Sequence, residues 1–159
     1  MIKAVWIMDQ KNNIDFSNTP KFDSVSYYNF LNEKLKNKII LVSQKTYEDN
    51  KLDFDNFSVF VHINNFQNLS RNSKQNVKYI SNVYNVISHY RNKSDKDLYI
   101  VDNDFILLKY IPYVDRALIC MSNVNFIKSK KFDDDYLNWF KIQDIKNLKT
   151  FNLLLCQRR

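Results

Sequence analysis

Residues 98–112 read LYIVDNDFILLKYIP. An apolar strand pattern, 98–101, runs into Asp102-Asn103-Asp104, and a helical apolar pattern follows over 104–111, stopping before Pro112. Strand-to-helix turns that hold a nucleotide phosphate usually carry glycines, so that backbone N–H groups can reach the anion. Here two carboxylates and an asparagine occupy the turn. Asp104 is placed to cap the helix and fill its N-terminal anion position, and Asp102 adds like-charge repulsion toward a pyrophosphate. The stretch has the frame of a phosphate site and is expected to be filled from within.

Strand patterns recur at 2–8, 38–43, 57–63, 77–80, 116–121, 139–142 and 150–156, rich in β-branched and aromatic residues and separated by polar turn clusters. Two further helices are expected. Residues 24–36 place Val25, Tyr28, Leu31 and Leu35 on one face with Ser24 as N-cap, and 82–91 repeat Val83, Val86, Ile87 and Tyr90. The strands 2–8, 38–43, 57–63 and 98–101 are largely apolar and alternate with helices, as in a parallel sheet covered on both faces. The last two read as an antiparallel hairpin joined by QDIKNLK. The expected fold is α/β, a mixed and mostly parallel sheet flanked by helices with a C-terminal antiparallel hairpin, forming one domain over 1–159.

The chain has 159 residues, 45% of them hydrophobic, and no apolar run near the roughly 20 residues of a membrane span. With no signal-peptide pattern and two cysteines, Cys120 and Cys156, set apart in apolar runs, reduced thiols and a cytoplasmic location are expected. There is no glycine at all. Asn, Lys, Ile, Phe and Tyr abound, all with AT-rich codons, so coding bias is one explanation. Asn tolerates positive φ, and turns such as NNID, INNF and SNVN suit it. The net charge is +7, and residues 111–159 carry nine Lys/Arg against five acids.

The order of elements and several local strings resemble dihydrofolate reductase over essentially the whole length. Val5-Trp6-Ile7-Met8-Asp9 with Asn13-Ile14-Asp15 resembles the family's first strand and the loop over its active site. Asn37 to Glu48, NKIILVSQKTYE, resembles the second strand and following helix. Leu98 to Pro112 resembles the strand, diglycine turn and helix, Asp115 to Leu118 follow as in the family, and Phe151 to Arg159 resembles its last strand.

The resemblance implies hydride transfer from NADPH to dihydrofolate, with one carboxylate on the first helix and glycine turns against the cofactor phosphates. The carboxylate position falls on Tyr27, or on Ser26 with a one-residue shift; Asp23, the nearest acid, lies about one helical turn early, near ~5 Å along the axis. Asp102-Asn103 replaces the diglycine. Ser43-Gln44 replaces a Gly-Arg pair, leaving Lys45 and Thr46 to meet a phosphate, with Ser43 or Thr46 as mere helix caps the alternative. His62 falls in the turn that should read the adenosine phosphate, 62–65. Val5, Ile7, Phe22, Phe30, Leu31 and Val101 would line the pocket. Asp15 replaces a loop glycine, and Cys120 replaces a supporting threonine.

Acid, diglycine, Gly-Arg turn and loop glycine depart together. The first reading is therefore a dihydrofolate-reductase-like protein that has lost catalysis and is retained as a binding or structural subunit, with its basic C-terminal third toward a protein partner. The second is an active NADPH-dependent reductase using Asp23, Lys45 and Thr46. The third is a polyanion or RNA module using Arg71, Lys74, Lys78, Lys128, Lys130 and Lys131. Asp133-Asp134-Asp135 reads as a solvated loop, the His and Cys residues have no metal-ligand spacing, and no metal is expected.

Overall fold

The computed structural model describes residues 1–64, 74–101, 108–127, 130–132 and 135–159. Its strands are β1 (Ile2–Met8), β2 (Ile39–Ser43), β3 (Ser58–His62), β4 (Val77–Ile80), β5 (Leu98–Val101), β6 (Arg116–Ser122), β7 (Phe140–Asn147) and β8 (Phe151–Arg158). They form one sheet in the order β4-β3-β2-β5-β1-β6-β8-β7. The first six strands in that order run parallel, and β8 and β7 add antiparallel pairs. The expected mixed, mostly parallel α/β sheet with a terminal hairpin is what the chain forms. No described helix is long and apolar enough to cross a membrane.

Successive strand residues point to opposite faces, so each buried strand feeds two cores. Along β1, Val5 and Ile7 enter one core, while Ile2, Ala4, Trp6 and Met8 enter the other. The helices are α1 (Ser24–Leu35), α2 (Gln44–Glu48) and α3 (Val83–Asn92). The α1 face differs from the expected one. Tyr27, Leu31 and Leu35 are buried, Tyr28 is half-buried, and Val25 is 68% exposed. At about 100° per residue, Val25 lies about 200° around the helix from Tyr27. Its cap is Asp23 rather than Ser24, because the Asp23 carboxylate reaches the Ser26 N–H. In α3 the expected face is present, with Val83 and Ile87 buried.

Two segments extend past their expected limits. The described part of the stretch after β5 is a 3-10 helix, Leu108–Tyr113, that contains Pro112 instead of stopping before it. Proline's fixed φ suits a tight turn there at the loss of one donor. Strand β7 takes in most of the expected connection, leaving 148–150 as the turn, because a bulge between Ile142 and Asp144 lets pairing with β8 resume. The described residues with positive φ are all asparagines: Asn12 (63°), Asn37 (61°) and Asn50 (51°). Asn thus does the turn work of glycine, as its short amide tolerates the left-handed region. Cys120 and Cys156 are free and buried, on β6 and β8.

Arg158 ties the end of β8 to the chain before β6. Its Nε donates to the Val114 carbonyl and a terminal guanidinium N–H to the Ile111 carbonyl. The guanidinium also lies over the rings of Trp139 (5.7 Å) and Phe140 (5.5 Å). Arg158→Ala should cost about 2–3 kcal/mol, from two charge-assisted bonds and the ring contacts. Urea unfolding should show a lower midpoint at unchanged slope; an unshifted midpoint would mean the staple carries no stability.

Candidate functional site

In a parallel sheet the crevice beyond the carboxyl ends of the strands is where ligands gather. Here that crevice is bordered by residues 9–23 after β1, by Ser43 and α2, by His62–Asn64, and by residues 122–127 and 130–132 after β6. Its organising group is Asp9, which has no exposed surface. One carboxylate oxygen accepts from the backbone N–H groups of Lys11 (2.8 Å) and Asn13 (2.9 Å). The other accepts from the Asn13 side-chain amide (2.8 Å) and the Phe126 N–H (2.8 Å). Burial pushes this carboxyl up, but the bonds from Asn13, Phe126 and Lys11 outweigh it and hold it below the ordinary value.

Asp9 thus joins the 9–23 loop to Phe126 in the segment after β6. Further ties run alongside: Ile14 N–H to the Lys130 carbonyl (2.9 Å), Phe132 N–H to the Asn12 carbonyl (2.8 Å) and Ile127 N–H to the Thr19 hydroxyl (2.8 Å). The loop so held delivers two aromatic rings into the crevice. Phe16 stands 4.8 Å from Phe22, 5.8 Å from Tyr27, 6.1 Å from Tyr28 and 5.9 Å from Phe126, ring centre to ring centre. Tyr27 continues the cluster to Phe151 at 6.1 Å, and Phe30 meets Phe151 at 5.4 Å. These are edge-to-face and tilted contacts of the favourable kind.

Tyr27, at the position where the resemblance calls for a carboxylate, is wholly buried in this cluster. Asp23 lies on the surface, its two oxygens held by the Ser26 N–H (3.0 Å) and hydroxyl (2.6 Å), and these bonds lower its pKa. The structure does not bring Asp23 into the cluster. Val5, Ile7, Phe22, Leu31 and Val101 share one buried core with Tyr27, and Phe30 packs against it. What stays open beside them is a cavity of ≈ 90 Å³ lined by Asp15, Phe16, Tyr28, Lys45, Thr46 and Asp49, among others. Sites for small organic ligands run about 300–1,000 Å³.

On the α2 side, Ser43 is the cap: its Oγ accepts from the Thr46 N–H (3.1 Å) and donates to the Thr46 hydroxyl (3.0 Å). Lys45 is exposed, and it shares a depression of ≈ 340 Å³ with Glu48, His62 and Asn64. His62 is held below the ordinary histidine value by burial first and by the Lys109 charge second, so it is neutral at pH 7. The Cys120 thiol is pushed far up by burial. The Asp102-Asn103-Asp104 turn lies outside the described residues, as do Asn65, Arg71, Lys128, Asp133 and Asp134. Asp135 caps the 3-10 helix 136–138.

The remaining basic candidates do not gather. Lys74 precedes the outer strand β4 and pairs with Asp55 (2.7 Å), and Lys78 is exposed on β4. Lys130 and Lys131 lie against the 9–23 loop after β1, four strands away, on the order of 20 Å. Sequence reasoning missed Asp9, Phe16, Phe126 and Phe151. Asp9 did leave a signal, a carboxylate at a strand end before Asn12-Asn13, the pattern of a turn that bonds its own backbone.

No protein-family model matches this sequence, and no curated protein matches it. Among solved structures, the fold is similar to that of dihydrofolate reductase from Enterococcus faecalis, in a complex with NADP(H) and RAB-propyl. The TM-score is 0.77 at 15% identity, over 100% of this chain and 96% of that one. The chain therefore has the dihydrofolate reductase fold, from first strand to last, at 15% sequence identity.

Asp9→Ala should lower stability by about 2–4 kcal/mol, since it strands partly buried donors. Because the folded carboxyl titrates below its ordinary 3.8, its contribution is complete above that pH and lost as pH falls through the lower folded value. The gap between wild type and Asp9→Asn should therefore narrow in urea melts taken below about pH 4. A gap that widens on acidification would contradict the assignment.

Proposed function

We propose that this chain is a dihydrofolate-reductase-like protein without reductase turnover, retained as a binding subunit. The observation that carries this reading is Phe16 packed against Tyr27, where substrate and acid would have to meet. A neutral phenol held among rings does not anchor a pterin ring as an ionised carboxylate does. Among the described residues, the cavity that Phe16 and Tyr28 border beside it measures ≈ 90 Å³. Asp23, the acid an active enzyme would need, is occupied in capping α1.

NADPH, which the fold neighbour carries as NADP(H), does not fit the residues present here. The short α2 has its first turn closed by Ser43, the Lys45 charge is balanced by Glu48 in the same depression, and His62 is neutral. The Lys109 charge that reaches His62 is then the unbalanced cation among the described residues here, set against a cofactor with three phosphates. The fold then serves as a rigid frame, with the basic C-terminal third, residues 111–159, as the face offered to a protein partner.

The test is NADPH oxidation by the purified protein with dihydrofolate, followed by absorbance. Wild type should show no turnover above the uncatalysed rate. Turnover that disappears in Asp23→Ala would establish the active-reductase reading instead.

A further inference from the structure

At the opposite end of the strands from the filled crevice lies a second cavity, of ≈ 440 Å³, on the α1 side of the sheet. We propose that it binds an amphipathic organic anion: a carboxylate or sulfonate head on an apolar body. The inference does not depend on whether the chain reduces dihydrofolate.

Strand register assembles this site. Lys3 on β1 lies beside Tyr99 on β5 and Arg116 on β6. Arg116 pairs with Gln157, and Leu118 with Leu155, on β8. Leu155 in turn faces Asp144 on β7. Residues two apart on a strand share a face, so the Leu118–Leu155 pair sits one step inward from the Arg116–Gln157 pair. The two leucines are only half-buried, although the same face is closed elsewhere by α1. They form an apolar floor beside the ring of Tyr99.

The rim above that floor is cationic. Lys3, Lys34 from the last turn of α1, and Arg116 all line the cavity, against the single carboxylate of Asp144. Lys3 is already engaged, 2.7 Å from Asp97. Lys34 and Arg116 are exposed and make no ion pair with the described residues. An arginine fork beside an apolar floor is the geometry that takes a carboxylate or sulfonate with two parallel bonds while its body lies on the leucines.

The bulge in β7 completes the wall. Ile142 pairs with Cys156 and Asp144 with Leu155, so Gln143 is the extra residue. As a result Gln143 and Asp144, adjacent in sequence, both border the cavity. Bulges re-aim side chains in this way beside sites. Gln143 and Gln157 supply amide donors to the head, and the volume matches a drug-sized ligand.

The probe is anilinonaphthalene sulfonate, titrated by fluorescence, with its uncharged analogue phenylnaphthylamine alongside. Saturable one-to-one binding is expected, weakened roughly tenfold or more in Lys34→Glu/Arg116→Glu. Asn85→Glu should leave it unchanged, because that residue lines the separate ≈ 500 Å³ groove between β4 and α3. Both altered sites are exposed, and thermal melts of the variants confirm folding. Displacement by octanoate assigns an aliphatic body, and displacement by naphthoate alone an aromatic one. The proposal is overturned if the charge-reversed variant binds as wild type does, if the uncharged analogue binds equally well, or if no saturable binding occurs.

Discussion

The carboxylate of Asp9 accepts four hydrogen bonds from groups that lie on either side of the strand-end crevice, and the course of the 9–23 loop follows from it. An ionised carboxylate taken out of water is tolerated only when its lone pairs are satisfied. Lys11, Asn13 and Phe126 satisfy them, and in doing so fix the loop against the segment after β6. The loop then has one place to put its apolar residues. Phe16 and Phe22 go inward, onto Tyr27 and Phe126, and the crevice that this fold offers becomes part of the core. Polar satisfaction at one buried acid and aromatic packing a few residues on thus support each other.

A chain without glycine has to find other ways to turn. Asparagine takes the positive-φ positions, at residues 12, 37 and 50. Asn12 stands inside the Asp9 turn, so the residue that replaces glycine conformationally also helps to build the hub. Large aromatic residues occupy space that small residues would leave open. The arrangement of the rings around Phe16, each at favourable separation, is a packed core rather than a scatter of side chains.

Much of this was legible in the sequence because burial on both faces writes itself as continuous apolar runs. Strands β1, β2, β3 and β5 stand out for that reason, and their alternation with helices points to a parallel sheet. The edge strand β7 stood out only over 139–142; its continuation to Asn147 did not, since the exposed face is polar and the bulge breaks the alternation. The α1 face was shifted because Tyr27 and Tyr28 are both plausible inward residues; only the Leu31 and Leu35 spacing, applied strictly, selects Tyr27. Asp23 was legible as an acid near the wrong place, and it caps the helix. The ring cluster was illegible: Phe16, Tyr27, Phe126 and Phe151 are far apart in sequence, and nothing local joins them.

The chain has the dihydrofolate reductase fold from first strand to last, with its crevice filled by aromatic rings and a separate cationic shelf at the other end of the sheet. The measurement that tests the filled crevice most directly is thermal unfolding of the purified protein during an NADPH titration, since a ligand that binds only the folded state must raise the midpoint. No shift is expected at concentrations that saturate an ordinary reductase. A clear, saturable rise would contradict the account, because it would mean that the crevice opens and a cofactor site survives within it.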